Sequence, residues 1–282
     1  MPLFELVPNI SEGRSDDVVD AAVAAVDATG ARVLHRTSDP VHHRSVLTIA
    51  GGANAVVDAA VALAGVAVER IDLRAHRGVH PRIGALDVVP FVPLDGATLE
   101  DAAALARAAA QRIWEQFAIP SFLYGAAATD ARRALLADVR AGEFEGLPER
   151  FESMPPDVGS IARHESAGAI AIGARPLLIA FNVELESGDL ALARRIASSL
   201  RERSGGLRSL RALGLRLDEG TVQVSLNVTD PAATPLARIV AVIAALAAKS
   251  GVRVRRSELI GLIPERAVEA AARATLGVPP AS

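Results

Sequence analysis

Residues 31–52, ARVLHRTSDPVHHRSVLTIAGG, hold two short apolar-rich runs on either side of a polar turn, and this pair decides how the N-terminal half is read. Ala31 to His35 and Ser45 to Ala50 read as strands. Before them, Ser15 to Thr29 has the spacing of an amphipathic helix, opened by Ser15-Asp16-Asp17 and closed by Gly30. After them, Ala53 to Arg70 reads as a second helix. With Leu3 to Val7 as a strand ahead of the first helix and Ala85 to Val92 as one behind the second, the order is β-α-β-β-α-β. That is the split arrangement of a ferredoxin-like sandwich, in the α+β class.

Working outward, a further helix begins at the capping pair Thr98 and Asp101, with Leu99, Ala103, Ala106, Ala110, Ile113 and Phe117 on one stripe. Ser121 to Tyr124 reads as one more short strand. From about Ala141 to Gly168 the pattern breaks into AGEFEGLPERFESMPPDVGSIARHESAG, dense in Gly, Pro and charge, which is a connector or a binding loop with room for a short helical turn. The order then recurs. Pro176 to Val183 is strand-like, Asp189 to Arg203 helical, Leu207 to Leu217 and Thr221 to Val228 a strand pair, Pro235 to Lys249 helical and Val252 to Leu259 a strand. The chain thus reads as two βαββαβ halves without obvious residue-level similarity, with a cleft expected between them as a place for a ligand.

Composition narrows the function classes. Half of the 282 residues are hydrophobic but only 3% are aromatic, so the cores are built from Ala, Val, Leu and Ile. The net charge is −3 and no basic run is interleaved with aromatics, which argues against a nucleic-acid surface. Lys249 is the only lysine among 30 basic residues, so the cations are guanidiniums suited to forked pairing with carboxylates. The absence of cysteine removes disulfides and thiolate chemistry. The N-terminus MPLFELVPN has no basic segment ahead of a long apolar stretch, and the longest apolar run, Ala59 to Val68, is too short to cross a bilayer. A soluble cytoplasmic protein without membrane association is expected.

Few residues point to chemistry on their own. His76 and His80 are four apart, but Gly78 and Pro81 argue against the helix that would make them a metal pair, so no metal is expected. His80 reads instead as a loop histidine able to move a proton near neutral pH, with surface packing as the bland alternative. Asp87, inside the apolar run ALDVVPF, must be paired or solvated, and could orient His80 or Arg82 or cap a turn. Arg44, Arg82 and Arg175 are candidate partners for carboxylates. In TVQVSLNV, residues 221–228, the face of Thr221, Gln223, Ser225 and Asn227 is polar yet uncharged, which fits either hydrogen bonding to a ligand or an ordinary half-exposed strand. Nucleotide loops and the serine-hydrolase elbow are absent.

The segments VPNISEGR, RSVLTIAG, HRGVHPRIGALDVVPFVP, PSFLYGAAA, LIAFNVEL, QVSLNVTD and SELIGLIPERAV, in this order from about Leu6 to Ala271, resemble the formiminotransferase family. The resemblance implies an N-terminal subdomain over 1–174 and a C-terminal one over 175–282, two ferredoxin-like folds with a folate-binding cleft between them, in a homodimer. It implies transfer of a formimino group from N-formimino-L-glutamate to tetrahydrofolate, the co-substrate, in histidine degradation and one-carbon metabolism. Another donor, formylglutamate or formiminoglycine, and a non-catalytic folate-binding paralogue are the alternatives. In the family's HPR-x-GA motif the histidine is the acid/base, here His80. The family's folate loop matches Gly159, Ser160, Ile161, Ala162, Arg163, His164, Glu165, Ser166, Ala167 and Gly168. Asn9, Glu12, Arg44, Arg82, Gln223 and Asn227 match other cleft positions. Members commonly read Asp-His-Asn-Arg where this chain has Val41-His42-His43-Arg44, and a proline usually follows the loop histidine where this chain has Glu165. A separate cyclodeaminase is expected to act on the product.

Overall fold

The computed structural model describes residues 1–79 and 81–278. The chain divides after Pro176 into two compact units. In the first, β1 (Phe4–Leu6) and β2 (Asn9–Ile10) are followed by α1 (Asp16–Asp27), β3 (Arg32–Asp39), β4 (Arg44–Gly51), α2 (Ala53–Arg70), β5 (Leu86–Pro93) and α3 (Leu99–Phe117). Both β1 and β2 pair antiparallel with β4 on one side and β5 on the other, so they are one strand interrupted at Val7-Pro8. With β3 antiparallel to β4, the order β3-β4-β1/β2-β5 is the ferredoxin-like arrangement read from residues 31–52.

The helices pack on one face of this sheet. Phe4, Leu6, Leu47 and Ile49 alternate inward from β1 and β4, as a pleated strand requires. They meet helices whose buried residues are largely alanine: Ala59, Ala60, Ala64 and Ala67 of α2, and Ala102, Ala103, Ala106, Ala109 and Ala110 of α3. Small side chains let the helix axes approach, and Gly65 takes this furthest, because a Cβ there would lie 3.0 Å from the ring of Phe117. On the α3 stripe Ile113 is fully buried, worth about 1.5–3 kcal/mol for a side chain of its size; Leu99, at the first turn, stays exposed. The capping box forms as read: Thr98 Oγ1 accepts from Asp101 N at 3.1 Å and Asp101 Oδ2 from Thr98 N at 2.9 Å. At α1 the Ser15 side chain makes no cap bond; Glu12 Oε1 accepts from Arg14 N at 2.7 Å and Ser15 N at 3.0 Å instead.

Two strands extend this sheet beyond the split βαββαβ. They are β6 (Ser121–Gly125), anticipated, and β7 (Ile170–Ala174), which was not; β7 lies between β5 and β6 and runs parallel to both. The Gly- and Pro-rich stretch before β7 follows the short helix α4 (Leu136–Val139) and carries α5 (Leu147–Ser153), whose Phe151 ring sits 5.6 Å from that of Phe122.

The second unit holds β8 (Ile179–Leu185), α6 (Leu190–Leu200), β9 (Leu210–Arg216), β10 (Val222–Val228), α7 (Leu236–Ala248), β11 (Val254–Ile260) and α8 (Glu265–Leu276). Its sheet, β11-β8-β10-β9, is antiparallel throughout and is a second ferredoxin-like arrangement. The strand at Pro176 begins three residues later than its apolar run suggested, and α8 was not anticipated. Val222, Val224, Leu226 and Val228 are buried with Ile196 of α6 and Ile239 and Ile243 of α7. Gly214 lets β9 touch α6: a Cβ there would be 2.4 Å from the Arg194 nitrogen. Among the described residues β11 pairs only with β8, whereas its topological counterpart β5 is covered by β7. Accordingly Leu86 to Val92 are all buried, while no residue of β11 is.

Candidate active site

The aspartate in the apolar strand has a structural explanation. Asn9 faces Val88 and Ile10 faces Leu86, so β5 has one residue too many and Asp87 is the extra residue of a β-bulge. A bulge re-aims its side chain. Asp87 is 1% exposed; its Oδ1 accepts from Ile83 N at 2.7 Å and its Oδ2 from Arg140 Nη2 at 2.5 Å. Arg140 also donates to the Pro81 carbonyl. The turn 81–84 is therefore held from both ends by one buried ion pair. Ser11 Oγ donates to the Gly84 carbonyl at 2.7 Å, and Gly84 admits no side chain, since a Cβ would lie 2.1 Å from the Ala169 oxygen.

His80, the candidate acid/base, lies outside the described residues. Its neighbours are fixed. Val79 N donates to the Val41 carbonyl at 3.4 Å, and Gly78 sits so close to the β3–β4 turn that a Cβ would be 2.6 Å from the His42 oxygen.

That turn and the HPR segment together line a small concavity of Ser11, His42, His43, Arg44, His76, Arg82 and Asp87. Asp39 Oδ1 accepts from the backbone of Val41 at 2.8 Å and of His42 at 2.9 Å, and its Oδ2 pairs with His42 Nδ1 at 2.5 Å. His43 adopts φ of 51°, a left-handed conformation in which Asn, Asp and His are the side chains best tolerated. Its ring stacks on that of His76 at 4.2 Å, and its Nδ1 accepts from Gly13 N at 3.2 Å. His76 accepts at Nδ1 from Arg82 Nε at 3.2 Å and donates from Nε2 to the His43 carbonyl at 3.0 Å, which sets a neutral ring.

Burial lowers the pKa of both histidines below the ordinary imidazole value; their proximity adds to this for His43, and Arg82 adds to it for His76. Glu12 opposes the shift in each and Arg14 reinforces it. The folded state then binds fewer protons than the unfolded chain between the lowered values and about 6.5, so stability is complete above about 6.5 and lost as pH falls below it. We expect the midpoint of thermal unfolding to begin falling near pH 6.5, above the carboxylate range, and His43→Asn to flatten that limb. A midpoint independent of pH between 5 and 6.5 would contradict the neutral pair.

The other anticipated residues distribute as follows. Arg82 is a buried brace: besides His76 its guanidinium meets Glu143 Oε2 at 3.0 Å and Glu145 Oε1 at 2.8 Å. Arg44 opens β4, and burial, then Arg140, brings its pKa down to about 10. Asn9 Nδ2 donates to the Val7 carbonyl at 3.2 Å. In the loop, Gly159 and Gly168 are positions of positive φ that any Cβ would crowd, against Trp114 and the Ile83 carbonyl respectively. Between them Arg163 lies 4.1 Å over the Phe144 ring, Glu165 pairs with Arg74 and Ile161 is exposed. The loop's end joins the HPR turn, as Ala85 N donates to Ala167 O at 2.9 Å and Ala169 N to Ile83 O at 3.0 Å. Glu12, through His43, and Arg44, Arg82 and the end of the loop thus lie around one turn of the first unit, while Asn9 sits further along the strand, opposite Val46 and Val88.

Gln223 and Asn227 belong to the second unit. Gln223 is buried beside Glu184, whose Oε1 accepts from Arg256 Nη2 at 2.7 Å, and Asn182 donates to Glu258 Oε2 at 3.0 Å on the same polar face. Asn227 is exposed. Sequence reasoning missed Asn182 and Glu184, although both alternate with the core residues of β8, and Arg140, whose partner is 53 residues away. Among the described residues no group of three or more His, Asp or Glu could hold a metal ion.

Two family models match the chain: formiminotransferase domain, N-terminal subdomain, over residues 3–175, and formiminotransferase domain over residues 180–276. A protein of Streptococcus pyogenes serotype M1 named glutamate formimidoyltransferase is 40% identical over 94% of this chain and 90% of its own length. One of the same name from Thermoplasma acidophilum is 42% identical over 95% of this chain and 90% of its own. The formimidoyltransferase-cyclodeaminase of Sus scrofa is 40% identical over 94% of this chain, which spans 51% of that protein.

Proposed function

The chain belongs to the formiminotransferase family, and from that premise we propose that it is a glutamate formimidoyltransferase, moving the formimino group of N-formimino-L-glutamate to tetrahydrofolate. The observation that carries this reading is identity of 40–42% to two glutamate formimidoyltransferases along nearly the whole chain. Tetrahydrofolate supplies a nucleophilic ring nitrogen. The bond formed joins that nitrogen to the amidine carbon, and the bond broken joins the carbon to the glutamate nitrogen. His80 takes the proton released by the first and hands it to the departing glutamate amine, so one side chain serves both halves of the transfer. The clamp on residues 81–84 and the bond from Val79 hold the backbone on either side of it, which is the preorganisation such proton transfer needs.

On the first unit the loop 159–168 is proposed to contact the folate, with Asn9, Glu12 and Arg44 as substrate contacts and Arg82 as a brace; on the second unit Gln223 and Asn227 are proposed as substrate contacts. The enzyme is proposed to work in the cytoplasm as a homodimer in histidine degradation, a separate cyclodeaminase acting on its product. The test is single-turnover transfer by the purified protein, with the folate product identified by mass. Appearance of 5-formiminotetrahydrofolate from formiminoglutamate, and not from formylglutamate or formiminoglycine, is the expected result. Turnover of one of those donors alone would replace the donor, and folate binding without turnover of any would leave a binding protein.

A further inference from the structure

The loop proposed to contact the folate is held at both ends, and its first end hangs on a buried ion pair that takes no part in the reaction. On the outer edge of β6, Ser121 N donates to Val158 O at 2.9 Å, and Ser121 O accepts from Asp157 N at 2.9 Å and Val158 N at 3.2 Å. This forms a single antiparallel bridge. The next outward amide of β6, Leu123 N, is taken by the side chain of Asp157, whose Oδ2 accepts from it at 2.7 Å. Oδ1 of the same carboxylate accepts from Arg133 Nη1 at 2.5 Å and from the Thr129 hydroxyl. Arg133, on the single helical turn Ala131–Arg133, also donates from Nη2 to Pro155 O at 2.5 Å. Side-chain exposure is 8% for Arg133 and 3% for Asp157, so salt screens little of their attraction.

The loop begins where this clamp ends. Gly159 has φ of 103°, and a Cβ there would lie 2.7 Å from Trp114 Cε3 and 2.9 Å from Pro120 Cα, so the root of the loop is pressed against the only tryptophan of the chain. The far end is fixed as well: His164 and Gly168 exchange both backbone bonds at 2.9 Å, and Leu73 N donates to Ser166 O at 2.9 Å. Between the ends Ser160, Ile161 and Ala162 are exposed, and among the described residues their only hydrogen bonds run between Ser160 and Ala162. An extended chain covers at most about 3.3–3.6 Å per residue, so a span this short has little slack and a root that shifts carries the exposed residues with it.

We propose that the Arg133–Asp157 ion pair positions the folate loop, holding the root at Gly159 so that residues 160–163 are already in place when tetrahydrofolate arrives. This rests on the assignment of the loop 159–168 to the folate given above. A buried pair of this kind adds little net stability over apolar side chains of similar volume, whereas guanidinium and carboxylate bind only in defined directions. Here those directions set Pro155, Asp157 and Leu123 relative to one another. Arg133 and Asp157 are positioning residues, acting through the loop on affinity for one substrate and not on the chemical step.

The test compares wild type with Asp157→Asn, which keeps an acceptor for Leu123 N and removes the charge facing Arg133, and with Arg133→Lys, which keeps the charge without the fork. Ordering one more residue on binding costs about 5- to 30-fold in affinity, so Asp157→Asn should raise KM for tetrahydrofolate by that factor, with KM for formiminoglutamate and kcat changed less than about threefold. Arg133→Lys should fall between the two. A pair that only stabilises the fold would lower Tm and apparent kcat with both KM values unchanged, and that result overturns the proposal. Acrylamide quenching of Trp114 in the unliganded protein reads the root itself. It should strengthen in Asp157→Asn; a raised KM without that change would also overturn the proposal. Calorimetric titration with tetrahydrofolate separates this role from the readings beneath it. Binding that weakens in Asp157→Asn, in a wild type that transfers nothing, keeps the positioning role and removes the transfer, whereas unchanged binding beside normal wild-type transfer removes the positioning role alone. Excision of residues 160–162 tests the loop by itself: affinity that survives it removes the folate assignment of the loop and the proposal together.

Discussion

Replacing His80 by alanine should lower kcat by about a hundred- to ten-thousand-fold, the range that one positioned acid/base contributes, with substrate affinity changed far less. Amidine transfer requires a proton to leave the attacking nitrogen and another to reach the leaving amine; without either, the adduct returns to reactants. The residues flanking position 80 are tied to three different elements: Val79 to the β3–β4 turn, Pro81 to Arg140, and Ile83 to Asp87 in β5. Alanine at position 80 leaves each of those ties intact, so the variant should fold and still bind tetrahydrofolate. Single-turnover transfer measured across pH decides the matter. The rate should lose its dependence on a group titrating near neutrality, and turnover at the wild-type rate would take the acid/base role away from this residue.

The second large effect concerns the bulge. Asp87→Ala strips Arg140 of a buried carboxylate and leaves Ile83 N without its acceptor, the situation in which breaking a buried pair costs about 3–5 kcal/mol. For a chain of this size that corresponds to a fall in Tm on the order of 10 °C. Activity should fall with it, because the turn beside residue 80 loses both of the ties that Asp87 organises. Asp87→Asn keeps an acceptor for Ile83 and should cost less. Combining Asp87→Asn with Arg140→Gln should restore part of the loss, since no charge is then stranded; strict additivity of the two changes in denaturant unfolding would mean that the pair does not act as a unit.

The architecture was legible because its decisive signal is local. Two strands back to back between two helices, at Ala31–His35 and Ser45–Ala50, leave little choice of topology, and the alternation in TVQVSLNV marks its inward face without reference to any partner. Strand β7 escaped because AIAIGA is short, built from small residues and adjoins a glycine- and proline-rich stretch, so its pairing with β5 and β6, not its composition, makes it a strand. The site divides in the same way. The glycines of the 159–168 loop could be suspected from type alone. The place of Asp87 could not, because a bulge is a mismatch in count between two strands and appears in neither of them separately. Arg82 was a candidate for substrate carboxylates, yet Glu143 and Glu145 hold it; they come from the stretch with least periodicity, where no pattern predicts what a side chain will meet.

The two sheets share an order of strands but differ in what lies beyond their last one, and that difference bears on how the chain behaves among its own copies. An unpaired strand offers its amides and carbonyls to any extended segment that drifts past, and a hydrophobic one would recruit neighbours into a growing ribbon. β5 can be apolar throughout because β7 and β6 occupy its flank. Among the described residues no strand lies beyond β11 in its sheet, and it carries Arg255, Arg256 and Glu258 together with a register shift between Val254 and Arg256. Charge and irregularity there do the work that two additional strands do in the other sheet, so the same topology is written once in a language of packing and once in a language of repulsion.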